Sequence, residues 1–195
     1  MKKILAIATI LAPCVAYAGP PIYSDNFNSD APALNTAPAG WTVTGGTVDI
    51  VASGTFGITC AGGVGNCVDL DGSTNQSGTL SLTTGLSLVG GQTYTASFDL
   101  SGNDRIPSQT DIVTVNFGGT TQTFSILGSA PFVTESISFT AGTTGTYNLS
   151  FLDSSNNNIG AILDNVNVQA VPEPETYALM LVGLGFVGLA AKRRR

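Results

Sequence analysis

The chain has 195 residues, of which 13 are acidic, 7 are basic and none is histidine, so its formal net charge is −6. The absence of histidine excludes Ser-His-Asp and Cys-His catalytic arrangements. Lys2, Lys3 and residues 192–195 hold six of the seven basic side chains, which leaves Arg105 against eleven carboxylates in residues 19–170, a charge of −10. Such a field repels phosphate backbones, and a nucleic-acid partner is therefore excluded.

The N-terminus has the three parts of an export signal. Two lysines follow Met1, Ile4 to Val15 form an apolar stretch, and Ala16-Tyr17-Ala18 is a small-x-small cleavage sequence. This order predicts a secretory signal peptide at residues 1–18, cleaved between Ala18 and Gly19.

Apolar and polar residues alternate with a period of two through most of residues 19–170, and no stretch shows helical periodicity. Gly118-Gly119 is typical of a hairpin turn between two such runs. Strands are predicted at 42–44, 48–51, 68–70, 78–82, 92–100, 111–117, 120–126, 133–139, 147–152 and 162–168. Short strands separated by Gly, Asn, Asp and Ser turns predict one all-β domain, an antiparallel β-sandwich or jelly roll, over residues 19–170.

Several short segments of this domain occur in a familiar order. They are Asp25-Asn26-Phe27, Trp41-Thr42-Val43, Val68 to Gly72, Tyr94 to Leu100, and Leu163 to Val166. In this order they resemble the galactose-binding-like jelly rolls of exported carbohydrate-binding modules. The resemblance implies the same sandwich fold and a carbohydrate ligand, but it identifies no carbohydrate-binding residues.

Cys60 and Cys67 are the only cysteines left after signal removal. In an oxidising exported compartment, two thiols this close in sequence are predicted to form a disulfide rather than to stay free. A zinc site is not expected, because it needs about four ligands.

Asp164 shares the parity of Ile162, Val166 and Val168, so its carboxylate is predicted to face the core. A buried carboxylate must be capped, protonated or coordinated. The jelly-roll resemblance implies that Asp25 and Asp164 share a structural calcium ion, and no other cofactor is expected. Capping of Asp164 by backbone N–H groups is the alternative interpretation, and it is slightly favoured.

Two further acidic features have competing interpretations. Asp69-x-Asp71-Gly72-x-x-Asn75 contains part of a calcium loop but lacks its distal Glu, and an ordinary turn explains it equally well. Glu135 is the only Glu of the domain and shares the parity of the core positions in its strand. It is interpreted as a rim residue that precedes the entry of the strand into the core. No catalytic residue is predicted, and an enzyme is not expected.

Sugar stacking needs exposed aromatic rings, and Tyr23 and Trp41 are the candidates. Trp41 is favoured as a core residue, because a lone Trp beside a strand usually packs inward. Arg105 could anchor a uronate, but a local pair with Asp104 is preferred.

The C-terminus has its own organisation. Val171-Pro172-Glu173-Pro174-Glu175 precedes an apolar run that ends at Ala191, and Lys192-Arg193-Arg194-Arg195 closes the chain. A transmembrane helix at about residues 176–191 with a cytoplasmic basic end is predicted, somewhat shorter than the ~20 residues of a comfortable span. The glycine pattern 183-x-185-x-x-188 lies inside this apolar run and does not indicate a dinucleotide site.

The order of Pro-Glu-Pro, apolar segment and arginine-rich end resembles the PEP-CTERM sorting signal of Gram-negative bacteria that export polysaccharide. The resemblance implies that residues 171–195 are recognised and processed by the membrane protease exosortase. We therefore expect a membrane-anchored precursor and a mature protein at the cell surface or in the extracellular matrix, in association with exopolysaccharide. A purely structural matrix or adhesion protein is the alternative, and a polysaccharide hydrolase or lyase is less favoured.

Overall fold

The computed structural model describes residues 20–172, 181–185, 188–189 and 192–193. Residues Pro20–Val171 form one compact unit. In the C-terminal segment the described residues are helical. None of the helices in the described residues is both long and apolar enough to cross a membrane. The predicted signal peptide and its cleavage site, and most of the predicted transmembrane segment, lie outside the described residues.

Thirteen β-strands form within residues 20–172, together with two short 3-10 turns at Thr55–Gly57 and Ala61–Gly63. The strands are β1 (Tyr23–Asp25), β2 (Trp41–Thr44), β3 (Asp49–Ala52), β4 (Asn66–Asp69), β5 (Thr79–Leu82), β6 (Leu86–Leu88), β7 (Thr93–Ser101), β8 (Thr110–Phe117), β9 (Thr120–Leu127), β10 (Val133–Thr140), β11 (Gly145–Tyr147), β12 (Leu149–Asp153) and β13 (Ile162–Ala170). The all-β prediction is confirmed.

The strands form two large antiparallel sheets and a small ribbon. The first sheet has the order β10-β7-β13-β4-β3, with β1 added on β13. The second has the order β2-β5-β12-β8-β9, and β6 pairs with β11. Neighbours in a sheet are mostly distant in sequence, which is the arrangement of a sandwich rather than of a meander.

The core lies between the two sheets and follows the alternation of the sequence. β7 buries Tyr94, Ala96, Phe98 and Leu100, and β8 buries Val113, Val115 and Phe117, as the period-two pattern predicts. The ring of Phe98 meets the ring of Phe151 from the second sheet edge to face, with centroids 5.0 Å apart. Each such buried ring contributes about 1.5–3 kcal/mol of hydrophobic free energy.

The predicted hairpin at Gly118-Gly119 joins β8 to β9, with Phe117 opposite Thr120. Both glycines have positive φ angles, 60° and 95°, which side chains rarely adopt. A Cβ atom on Gly118 would also lie 2.5 Å from the ring of Phe139. Glycine is therefore required at this turn for conformation and for space.

The prediction of one continuous strand over residues 147–152 is wrong. Tyr147 ends β11, which pairs with β6, whereas Leu149 begins β12 of the second sheet. The chain changes sheets at Asn148, whose carbonyl accepts a hydrogen bond from Gly118 N and whose side chain accepts one from Leu149 N. β1 and β6 were not predicted, because each is short and is defined by its pairing with a strand distant in sequence, β13 and β11 respectively.

One end of the sandwich is formed by the loops at 45–48, 70–78, 102–109, 128–132 and 154–161. We call it the acidic end, because most of the buried aspartates lie there. β13 begins at this end and leads to Ala170 at the other. Nine extended residues cover roughly 25–30 Å, so residue 171 leaves the domain far from the acidic end.

Candidate binding site at the acidic end of the sandwich

Five aspartate side chains of the acidic end are 1–5% exposed: Asp49, Asp69, Asp71, Asp111 and Asp153. All five lie at a strand end or within two residues of one. Strands with opposite directions bring these ends together from distant parts of the chain. Buried carboxylates need compensation by hydrogen bonds, cations or protons.

Asp69 is compensated by a cation and by backbone groups. Its Oδ2 lies 3.5 Å from Nη2 of Arg105, and its Oδ1 accepts hydrogen bonds from the amides of Asp71 and Gly160. Burial raises the pKa of Asp69, and these contacts oppose that rise.

The preferred pairing of Arg105 with its neighbour Asp104 is wrong, because the guanidinium pairs with Asp69. The hydrogen bond from the backbone amide of Asp71 to Asp69 Oδ1 forms an ordinary turn, which was one interpretation of this segment.

Asp153 closes the loop at 154–161. Its Oδ1 accepts the amide of Ser155 at 2.9 Å, and its Oδ2 accepts the amide of Ala161 at 2.7 Å. Burial raises the pKa of Asp153, and the charge of Asp71 contributes to the rise. One carboxylate thus fixes both ends of an eight-residue loop.

Asp71 and Asp111 are only half compensated. Oδ2 of Asp71 accepts hydrogen bonds from the amide of Asn157 and from Ser155 Oγ, and Oδ1 of Asp111 accepts one from Gln109 Nε2. Among the described residues, no hydrogen-bond partner reaches Oδ1 of Asp71 or Oδ2 of Asp111, and both atoms are buried. Burial raises the pKa of Asp111 to about 6, with further contributions from the charges of Asp153 and Asp71.

A cleft of about 260 Å³ opens at the edge of the acidic end. One wall is the loop that carries Cys60, and the other walls come from the end of β7 and from the segment that precedes β10. The lining residues are Thr59, Cys60, Gly62, Gly63, Ser101, Gly102, Asp104, Ala130, Pro131 and Phe132. A cleft of this size suits one small polar molecule.

Ser101 gives the cleft a distinct polar group. Its side chain is 3% exposed, and its Oγ has no hydrogen-bond partner within residues 20–172. A hydroxyl can donate one hydrogen bond and accept two, so this buried group keeps its full hydrogen-bonding capacity. Phe132 adds a half-buried ring, and Asp104 adds an exposed carboxylate. The sequence did not identify these three residues as a site, because Phe132 comes from a distant loop and the three together match no motif.

Of the two predicted stacking rings, Trp41 is buried and unavailable to a sugar face, whereas Tyr23 is half-buried. Trp41 is 4% exposed, and its Nε1 donates a 2.8 Å hydrogen bond to Asp25 Oδ2, in agreement with the favoured core assignment. The hydroxyl of Tyr23 donates to the same oxygen at 3.1 Å. Burial and the charge of Asp25 raise the pKa of Tyr23.

Asp164 and Asp25 were predicted to share a calcium ion. Asp164 is buried, and its two oxygens accept the amides of Ala61 and Asn165 at 3.1 and 2.7 Å, which is the capping that was the alternative. Burial raises its pKa to about 6, and the charges of Asp99 and Asp25 add to the rise. Within the described part of the chain, no three His, Cys, Asp or Glu side chains are grouped to hold a metal. The two carboxylates lie near enough to interact, so calcium at this pair stays a prediction.

The sulfur atoms of Cys60 and Cys67, the predicted disulfide pair, are 2.09 Å apart. The bridge closes the loop that forms one wall of the cleft.

Glu135 lies opposite Phe98 and is half-buried, after an exposed Val133 and before a buried Ile137. This placement is the rim position that the sequence favoured.

Comparison with solved structures places the domain among known folds. It is similar to the MgGH51 α-L-arabinofuranosidase bound to arabinose (13% identity, 74% of this chain, 25% of that chain, TM-score 0.53). It is also similar to the Clostridium thermocellum endo-1,4-β-D-xylanase 10B CBM22-1–GH10 modules with xylohexaose (18% identity, 78% and 29% coverage, TM-score 0.53). A further match is the CBM22-1 xylan-binding domain of Paenibacillus barcinonensis Xyn10C (16% identity, 81% and 99% coverage, TM-score 0.49).

The chain spans between a quarter and three tenths of the length of the first two structures. These similarities bear on the fold alone, which is an antiparallel β-sandwich. No curated protein sequence is significantly similar to the chain. Residues 170–195 match the PEP-CTERM protein-sorting motif, so the chain carries this signal.

Proposed function

We propose that the protein is an exported surface or matrix protein that binds a neutral carbohydrate in the cleft at the acidic end and has no catalytic activity. The observation that carries this proposal is Ser101, a residue of the cleft wall whose buried hydroxyl has no hydrogen-bond partner among the described residues. Burial of a hydroxyl without a hydrogen bond costs free energy. A ligand with hydroxyl groups removes that cost.

The other groups of the cleft fit the same ligand. A sugar presents hydroxyls at its rim and C–H groups on its ring faces. Ser101 and Asp104 can bond the hydroxyls, and the ring of Phe132 can cover a C–H face. The domain carries one cation against eleven carboxylates, so its field disfavours acidic sugars and favours neutral ones.

The comparisons support a carbohydrate ligand by analogy of fold. The xylanase structure is described as a complex with xylohexaose, and the arabinofuranosidase structure as bound to arabinose. This analogy is weaker than an argument from the site, because one fold supports many functions. It nevertheless agrees with the polarity and the size of the cleft.

The sorting motif supports delivery to the cell surface. We propose that the signal peptide at residues 1–18 directs export and that exosortase recognises residues 171–175 of a membrane-anchored precursor. Residue 171 leaves the domain at the end opposite the cleft. A domain attached through that residue therefore keeps its cleft free for extracellular polysaccharide.

A structural role in the matrix is the second candidate. β9 and β10 are each one outer strand of a sheet, and they expose Leu127 and Val133, which are 46% and 51% accessible. Exposed edge strands can pair with another chain. Concentration-dependent association in light scattering, without glycan binding, would favour this role.

Glycan-array binding of the purified full chain tests the carbohydrate proposal. We expect binding to a neutral glycan, with an affinity reduced about tenfold or more in Ser101→Ala and in Phe132→Ala. Ser125→Ala and Phe56→Ala are matched controls, because both residues are exposed and lie outside the cleft. The proposal fails if no glycan binds or if all four variants bind equally. Release of reducing ends from a bound polysaccharide would instead indicate an enzyme.

A further inference from the structure

Asp71, Asp111 and Asp153 belong to one hydrogen-bonded network. Ser155 joins two of them, because its Oγ bonds to Asp71 and its amide bonds to Asp153. Asn157 and Gln109 join the third, because Asn157 donates to both Asp71 and Gln109, and Gln109 donates to Asp111. Three carboxylates from distant parts of the chain are thus brought together under the loop at 154–161.

The charge of this network is not compensated by the described residues. Among the described residues, the only ion pair joins Arg105 to Asp69. Oδ1 of Asp71 and Oδ2 of Asp111 are buried, and no described residue donates a hydrogen bond to either atom. The charge of Asp71 acts on Asp111, so the two carboxylates lie near enough to interact. Two incompletely bonded carboxylates that interact are costly to bury, and a cation bound by both lowers that cost.

We propose that the acidic end binds a calcium ion through Oδ1 of Asp71 and Oδ2 of Asp111. This site is separate from the predicted pair of Asp25 and Asp164, and it does not depend on carbohydrate binding. Asp153 belongs to the same network and adds negative charge to the site.

The donor set favours calcium over other cations. The available ligands are carboxylate, amide and backbone oxygens, which suit hard cations, and calcium accepts irregular sets of six to eight oxygens whereas magnesium requires a near-ideal octahedron. No three acidic, His or Cys side chains of the described residues are grouped around one metal position. Neutral oxygens and water must therefore complete the coordination. A site with two protein carboxylates fits the dissociation constants of extracellular modules, about 10⁻⁴–10⁻³ M.

Such an ion would fasten the loop at 154–161 to the sandwich. The loop contacts Asp71 through Ser155 and Asn157, and it contacts Asp69 through Gly160. Release of the ion should therefore loosen this loop before the rest of the domain.

Melting of the full chain in 10 mM calcium and in chelator tests the proposal. We expect calcium to raise the melting temperature by about 3–8 °C. Asp111→Asn and Asp71→Asn should abolish this gain. In chelator, Asp111→Asn should be as stable as the unmodified chain or more stable, because it removes an unpaired buried charge. Asp164→Asn and the exposed Asp104→Asn are controls that should keep the gain.

Isothermal titration of calcium into the unmodified chain and into Asp71→Asn adds a readout that does not depend on unfolding. We expect heat of binding at this site in the first protein and its loss in the second. Equal melting in calcium and chelator would overturn the proposal. So would a full calcium gain in Asp111→Asn, or loss of the whole gain in Asp164→Asn, which would place the ion at the other pair.

Discussion

Oδ2 of Asp25 accepts a 2.8 Å hydrogen bond from the indole nitrogen of Trp41. Asp25 ends β1, which belongs to the first sheet, and Trp41 begins β2, which belongs to the second. The carboxylate therefore joins the two layers of the sandwich. The Tyr23 hydroxyl and the Phe27 amide also bond to it.

Asp25→Asn should lower the free energy of unfolding by about 1–3 kcal/mol. An amide has only one acceptor oxygen, so it cannot accept all three of these bonds, and a buried donor loses its partner. Chemical denaturation followed by the fluorescence of Trp41, the only tryptophan of the chain, measures the change. Asp104→Asn, at an exposed residue, should change stability by less than about 0.5 kcal/mol. Equal stability of the two variants would contradict a structural role for Asp25.

Much of the fold could be predicted from alternation alone. β7, β8 and the hairpin after β8 follow the pattern of the sequence, because each strand has one face in the core. The short strand β1 could not be predicted, since its place in the first sheet depends on its pairing with β13, which is distant in sequence. The Asp25–Trp41 bond connects positions 16 residues apart, and nothing in the spacing indicates it.

The same limit on prediction from sequence applies to the candidate site at the acidic end. The sequence marks Asp69-x-Asp71 as a candidate loop, but it marks Asp111 only as the first residue of a predicted strand and does not single out Asp153. They reach the same network because β8 and β12 are neighbours in the second sheet, with Asp153 opposite Val113. Strand pairing and not local sequence creates this cluster, and an excess of acids at strand ends was the only signal of it.

Gly160→Ala should destabilise the domain by about 1–3 kcal/mol. A Cβ atom at this position would lie 2.5 Å from Asp71 N and 2.7 Å from Asp71 Cβ. Gly142→Ala is the matched control, because a Cβ atom there meets nothing within 4 Å. Urea denaturation of both variants measures the difference. If Gly160→Ala is as stable as the control, the loop at 154–161 is not packed against Asp71.

Replacement of Cys60 and Cys67 by alanine should lower the free energy of unfolding by about 2.5 kcal/mol, since the bridge closes a short loop of the unfolded chain. The cysteines are seven positions apart. Loss of the bridge should also weaken glycan binding, because Cys60 and its neighbours form a wall of the cleft. Denaturation with and without a reducing agent checks the first effect. The reductant should destabilise the unmodified chain and leave the double variant unchanged. Any other pattern would mean that the disulfide does not account for the difference in stability.

In chelator, stability should fall as the pH rises from about 4 to 7. The pKa of Asp111 and the pKa of Asp164 are both about 6 in the folded state, against about 4 in an unfolded chain. The folded protein therefore holds more protons in this interval, and by linkage its stability decreases with pH. Melting temperatures across the interval measure the slope. Asp111→Asn and Asp164→Asn should each flatten it, whereas Asp104→Asn should not; a slope of the opposite sign would exclude raised pKa values.

Replacement of Glu173 by glutamine or of Pro172 and Pro174 by alanine should block processing of the precursor. These residues lie in the matched sorting motif, between the domain and the apolar segment. Intact-mass spectrometry of the protein from the native cell provides the measurement. We expect the unmodified protein to lack Arg195 and the variants to keep it and to remain membrane-bound. Replacement of Lys192 by arginine is the control, because it preserves the basic end. An unmodified protein that retains Arg195 on a stably membrane-bound form would mean that the segment is a permanent anchor rather than a processed signal.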